Sequence, residues 1–449
     1  DYRNTMEKMI RERRKLCPVK MEYSRLLDEK VIVTLCKELK LDKDQIYYSE
    51  APLSMSFISQ IRDKLHGKKD LFYVRRVPQN SRYVRSLLPM MEQIESGDIL
   101  LSYPFESMQP FIRLLNEAGE NEKVVSIKMT LYRVAKNSQI VEALINAAEN
   151  GKEVVVLVEL RARFDEENNI EWSRRLEDAG CRIIYGIDHI KVHSKLCLIT
   201  YCDGTEVKHI TQIGTGNYNE QTAKLYTDLS LMTANQDIAE EAAQVFNRLC
   251  MAQVMEETHH LLVAPKCLQN KVLDFIEEEI RHADNNEPAY IGVKMNSLTD
   301  KTIIDKLVEA SQHGVKIDLV VRGICCLIPG IEGYTENIRV ISIVGRYLEH
   351  SRIYIFGTPE RDKMFISSAD FMTRNTVKRV EVATPIYDTA IKDRVRTMFG
   401  IMLHDTVKGR ELCRDGNYYR REKPQEESEV ISSQAYFSNE AYLAASKNV

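Results

Sequence analysis

Two stretches of the chain repeat the same alternation of apolar and polar positions. Ile127 to Leu160 reads IKMTLYRVAKNSQIVEALINAAENGKEVVVLVEL, and Val293 to Val321 reads VKMNSLTDKTIIDKLVEASQHGVKIDLVV. Each opens with a β-rich run containing Lys-Met and continues with apolar residues at helical spacing. A glycine suited to ending a helix follows (Gly151, Gly314), then an unbroken Val/Ile/Leu strand. Each predicts a β-α-β unit. Continuous apolar strands between amphipathic helices need cover on both faces, so the expected fold class is α/β.

The similarity continues downstream of each unit. KVHSKLCLI is followed by IGTGNYN in the first copy, and YLEHSRIYIF by ISSADF in the second. His193 precedes Asn217 by 24 residues and His350 precedes Asp370 by 20. The strand in between carries a hairpin turn signal each time, Cys202-Asp203-Gly204 and Gly357-Thr358-Pro359. The pattern predicts two tandem α/β domains, 80–260 and 261–405, the second opening with a helix near Cys267 to His282. Residues 1–79 read as a separate, mostly helical and charged piece, part of a helical or mixed head domain. Residues 406–449 lose the strand and helix alternation and are expected to be a C-terminal appendage.

Charge and composition narrow the function classes. With 62 Lys+Arg against 66 Asp+Glu in 449 residues, the net charge of −4 excludes a polybasic binder. The 44% hydrophobic and 29% charged content excludes a disordered or fibrous chain. No apolar run reaches the roughly 18 residues of a membrane span, and the N-terminus lacks a signal-peptide core, so a soluble intracellular protein is expected. The chain lacks an initiator Met and opens on a charged, helix-like stretch, which reads as a piece of a longer protein. The ten cysteines show no CxxC pair or zinc spacing, so neither a structural metal nor a disulfide framework is expected. There is no GxxxxGK[ST] phosphate loop.

The two histidines carry the chemistry. Each stands just before an apolar strand and is followed two residues later by a cation, Lys195 or Arg352, on the same strand face. If the copies pack about a pseudo-twofold axis, the two faces meet in one cleft. An imidazole can be a nucleophile or a proton donor near neutral pH, while neighbouring cations hold a phosphoryl group. Paired histidines with paired cations therefore point to phosphoryl chemistry. Further basic residues gather around these strings: Lys128, Arg133, Arg161, Arg163 and Lys191 in the first copy, and Arg346, Arg374, Lys378 and Arg379 in the second. They suggest a basic channel. Gly214, Gly216 and Asn217 form a turn whose backbone N–H groups could cradle an anion, a plain tight turn being the alternative.

The pattern H-x-K followed by G-x-G-N resembles the HKD signature of the phospholipase D superfamily, in which two copies each give one histidine to a common site. Arg352 replaces the lysine in the second copy, and the acidic member is missing at its usual spacing in both. Longer strings resemble the bacterial polyphosphate kinase family of the ATP-dependent, histidine-phosphorylated type. They are YPFESM, IKMTLYR, VELRARFDEENNI, IGTGNYN, TAKLYTDL, MNSLTD, VRGICCL, IVGRYLEHSRIY, SSADFM and TVKRVEV, spread over most of residues 80–400.

The resemblance implies two tandem phospholipase D-like domains and an ATP–polyphosphate phosphotransferase. It implies that His193 is autophosphorylated by ATP and that His350 assists. Tyr226 and Arg322 would bind the nucleotide, with Lys195 and Arg352 on its phosphates. Arg133 and Arg163 would lie near the phosphates and magnesium; as arginines they cannot ligate the ion, so Mg2+ is expected on the ATP. The implied partners are ATP or ADP and inorganic polyphosphate, with no nucleic acid, in a homo-oligomer, dimer or tetramer. The implied location is cytoplasmic, with peripheral membrane association left open. Two other readings remain: a phospholipase D-like phosphodiesterase or nuclease, and a degenerate scaffold that binds polyphosphate. Ser102-Tyr103-Pro104-Phe105 stands where relatives write His-His-Pro-Tyr, so no role is carried over for that loop. The family also has an N-terminal helical domain and the first part of the head domain before residue 1 of this chain.

Overall fold

The computed structural model describes residues 2–13, 15–65, 67–160, 166–187, 189–422, 424–426 and 429–446. Two compact units are present, Asp1–Arg75 and Arg76–Val449. The first carries helices Tyr2–Arg13, Glu29–Leu39 and Ile58–Lys64, and a two-stranded parallel sheet of Met21–Tyr23 with Ile46–Tyr48. Asp28 starts the second of these helices, its carboxylate accepting the Lys30 N–H at 2.8 Å.

The second unit holds both repeats. In the first, strands Val124–Leu131 and Glu153–Val158 run parallel, joined by helix Gln139–Glu149; in the second, Tyr290–Met295 and Lys316–Val321 are joined by helix Lys301–Gln312. Ser138 and Asp300 cap the two helices through the N–H groups of Val141 and Ile303. Each repeat adds an antiparallel hairpin, Leu196–Asp203 with Glu206–Gly214 and Arg352–Phe356 with Lys363–Ser367. Among the described residues the outcome is two mixed sheets of eight and nine strands, one centred on each repeat, with Leu348–Glu349 of the second repeat at the edge of the eight-stranded one. Val154 to Val158 and Ile317 to Val321 are buried throughout, as sheets covered on both faces require. Among the described residues, no helix is long and apolar enough to cross a membrane.

The tail carries regular elements that pack within the second unit. Gly409–Leu412 pairs with Ile338–Ile343, and Tyr418–Arg420 extends the second sheet beyond it. Helix Ser433–Ser446 buries Phe437 and Ala441 in a cluster with Leu100, Phe105 and Tyr347. The apolar pattern misses this helix because Ser433, Gln434 and Ser438 share its buried stripe. The two strands escape because they are short, polar and at a sheet edge.

Candidate active site

Two short parallel strand pairs build the site by joining one repeat to the other. Lys191–Val192 runs beside Arg379–Val380, with Val192 opposite Val380. The next residues are His193 and Glu381, so this register sets an imidazole of the first half beside a carboxylate of the second. The His193 N–H donates to the Val380 carbonyl at 2.9 Å, and the Glu381 oxygens stand 2.9 and 3.0 Å from His193 Nδ1. Leu348–Glu349 beside Tyr226–Thr227 repeats the device in the opposite sense. There the next residues are His350 and Asp228, whose oxygens stand 2.8 and 3.0 Å from His350 Nδ1.

Neither acid was assigned a role from sequence, although both lie in strings quoted above, TDL and VEV. In each copy an acid follows the histidine at the start of a later strand, Asp228 after His193 and Glu381 after His350. That spacing is a signal, but the acid serves the histidine of the other copy. Each imidazole therefore takes its acid from the other repeat.

The electrostatics fix the state of the rings. Burial pushes the His193 imidazole down to about 3, and Lys195 adds to this against the opposing pull of Glu381. Burial works against the charge of Glu381, yet His193, Lys195 and the Ser368 hydroxyl at 2.5 Å hold its carboxyl below the usual range. A carboxylate can only accept, so Nδ1 carries a proton, and with the ring lowered to about 3 it is the neutral Nδ1–H form near pH 7. His193 Nε2 has no hydrogen-bond partner among the described residues. The lone pair of that nitrogen is left free. His350 and Asp228 are lowered in the same way: burial is the main cause for the ring, and for Asp228 burial opposes the charge but is outweighed by His350, the Thr215 hydroxyl and Arg352 together.

The cations differ between halves. Arg352 forks onto Asp370, with Nε and one terminal nitrogen at 3.2 and 3.1 Å, and its other terminal nitrogen donates to the carbonyls of His350 at 2.7 Å and Thr215 at 3.2 Å. Its charge is committed to a carboxylate rather than open to phosphate. The first-half counterpart of Asp370 is Asn217, whose Oδ1 is buried without a partner. Lys195, 1% exposed, donates to the His193 carbonyl and has no such fork.

The remaining expected residues converge here, with one outside the described set. Tyr226 lies tilted against His350 at 5.4 Å between centroids. Arg322 Nε is held by Asn296 Oδ1 at 2.8 Å and the Glu349 carbonyl at 2.6 Å, and its terminal amino groups have no protein partner among the described residues. Arg133 lies over the ring of Tyr132, whose edge meets His193 at 4.7 Å. Arg163 falls outside the described residues. The glycine turn does not act as an N–H cradle at Gly214 or Thr215, whose N–H groups are taken by the carbonyls of Lys195 and Leu229. Gly216 instead leaves room for Asp228, because a Cβ there would collide with that carboxylate.

Acidic groups near the rings are committed: Glu381 and Asp228 to imidazoles, Asp370 to Arg352, Glu349 to Lys294 at 3.1 Å. Among the described residues, no cluster of three or more His, Cys, Asp or Glu could hold a metal ion. The donor set suits phosphate rather than a bare cation.

Comparison with known proteins agrees with the geometry. Residues 1–61 match the polyphosphate kinase middle domain, 89–255 its C-terminal domain 1 and 261–434 its C-terminal domain 2. The polyphosphate kinase of Bacillus anthracis is 44% identical over 93% of this chain and 60% of its own length; that of Staphylococcus epidermidis is 44% identical over 97% and 59%. The crystal structure of polyphosphate kinase from Porphyromonas gingivalis is 33% identical, with a TM-score of 0.85 over 95% of this chain and 65% of its own. The chain thus spans about 60% of the length of the curated relatives it matches. Three consecutive domains of one family, matched in order and in three dimensions, leave a single assignment: this chain belongs to the polyphosphate kinase family.

Proposed function

We propose that the protein transfers the γ-phosphoryl group of ATP reversibly to the end of inorganic polyphosphate through a phosphohistidine at His193. The observation that carries this reading is the asymmetry of the two half-sites. His193 presents an unpartnered Nε2 beside Lys195, which lacks a forked counter-carboxylate, whereas the cation beside His350 is tied to Asp370. Only the first half has both a free lone pair and an available charge.

In the forward step, Nε2 attacks the γ-phosphorus, the bond to the β,γ-bridging oxygen breaks, and its electron pair leaves with ADP. The positive charge gained by the ring is balanced by Glu381 across the Nδ1 proton. A terminal oxygen of polyphosphate then attacks the phosphorus, and the P–N electron pair returns to Nε2. ADP attacking instead reverses the reaction. ATP enters as its magnesium complex, since the site's own acids are occupied, and Arg322 and Arg133 neutralise phosphate oxygens. Tyr226 packs on the nucleotide side of His350.

The test is incubation with γ-labelled Mg·ATP. The expected protein-bound label survives alkali, is lost in acid, and is chased by ADP or polyphosphate. His193→Ala should abolish it, and Glu381→Gln should slow its formation by about 10²-fold or more, because the ring loses its anionic partner. Unchanged labelling in His193→Ala would overturn the mechanism.

A further inference from the structure

The C-terminal helix reaches into the site through one side chain. Gln434, 7% exposed, lies in the first turn of helix Ser433–Ser446. Its amide accepts the Tyr347 N–H at 2.9 Å and donates back to the Tyr347 carbonyl at 2.9 Å, as a neighbouring strand would. It also donates to Glu349 Oε1 at 2.7 Å. The other oxygen of Glu349 takes Thr227 Oγ1 at 2.9 Å and Lys294 Nζ at 3.1 Å. Thr227 Oγ1 in turn accepts the His350 N–H at 3.1 Å, and the Glu349 carbonyl accepts Arg322 Nε.

All these groups flank the parallel rung that sets His350 against Asp228. Without Gln434, Glu349 Oε1 would be a buried acceptor with no donor, and the rung would lose its outer edge. Gly345 underlines how closely the amide is fitted: a Cβ there would lie 2.6 Å from Gln434 Oε1. The helix has its own anchor in Ser433, whose N–H and hydroxyl donate to Asp405 at 2.8 and 2.6 Å. The position of Gln434 is therefore separable from the seating of the helix.

We infer that Gln434 is a positioning residue that holds Glu349, and through it His350 and Arg322, in the geometry used for ATP. This rests on the function proposed above, and the inference follows from hydrogen bonds that link residue 434 to the second histidine without touching substrate. Gln434→Glu is the informative substitution, because it sets a second carboxylate against Glu349. The two carboxylates repel and leave Glu349 Oε1 without its donor.

Two measurements on the full chain test this. In steady-state turnover of Mg·ATP, Gln434→Glu should raise KM for ATP by about tenfold, with a smaller effect on kcat. In protein carrying 15N-labelled histidine, the His350 ring signals should shift in Gln434→Glu and Gln434→Ala, while those of His193 stay in place. The ring signals decide the matter even if the wild type fails to turn over ATP, a result that would count against the proposed function alone. Unmoved His350 signals would overturn the inference, as would an unchanged KM in a variant of an active wild type.

Discussion

Burial lowers the Lys195 ammonium to about 7, with Arg352 and Arg379 adding to the effect and Glu381 opposing it. Its charge is present below that pH and is lost above it. If this charge neutralises the transferred phosphoryl group, kcat/KM for Mg·ATP falls on the alkaline side with an apparent pKa near 7. In Lys195→Arg the guanidinium stays charged, and the alkaline limb should move up by about one unit or more. At the equivalent place of the second half Arg352 is received by Asp370, where the first half has Asn217. A profile from pH 6 to 9 checks this, and an unmoved limb would assign the loss to another group. His193, lowered to about 3, should contribute no acid limb above pH 5, since its ring stays neutral throughout that range.

At the scale of elements, the parallel rungs place the chemistry and the glycines permit it. Gly216→Ala drives a Cβ into the Asp228 carboxylate, so His350 should lose its partner and kcat/KM should fall at least about tenfold. Gly214→Ala is the milder neighbour, its Cβ meeting the Gln212 side-chain amide at 3.3 Å rather than overlapping it, and comparing kcat/KM of the two variants checks the assignment. The β-α-β repeats, their hairpins and the histidine pair were legible in sequence because each is a local pattern with a fixed period. The acids were not, because Glu381 and Asp228 act 188 and 122 residues away from their imidazoles, and only strand register says which acid meets which ring. The order KVH beside RVE and LEH beside YTD is visible only once those strands are known to run parallel. The Ser433–Ser446 helix was hidden for a different reason: its buried stripe carries Gln434 for hydrogen bonding rather than apolar bulk.

Across the whole molecule the buried site makes stability depend on pH in one direction. His193, Glu381, Asp228 and Asp370 all bind protons less readily when folded than their ordinary values. The unfolded chain therefore takes up protons first, and the stability contributed by these four groups is fully present above about pH 6.5 and falls below it. Between pH 6.5 and 4 His193 contributes to this slope, and the carboxylates add to it below about 4.5. In His193→Asn the Tm should change less between pH 6.5 and 5 than in the wild type, which thermal melts across that range would measure; equal slopes would place the acid sensitivity elsewhere. The exchange of acids between halves also bears on how the sequence can vary. A change at position 193 or 350 is felt by a partner encoded in the other copy, so neither half can drift alone. Second-site revertants of a defect at His350 are expected around residues 226–228, and those of a defect at His193 around 379–381, each in the repeat that the first lesion left untouched.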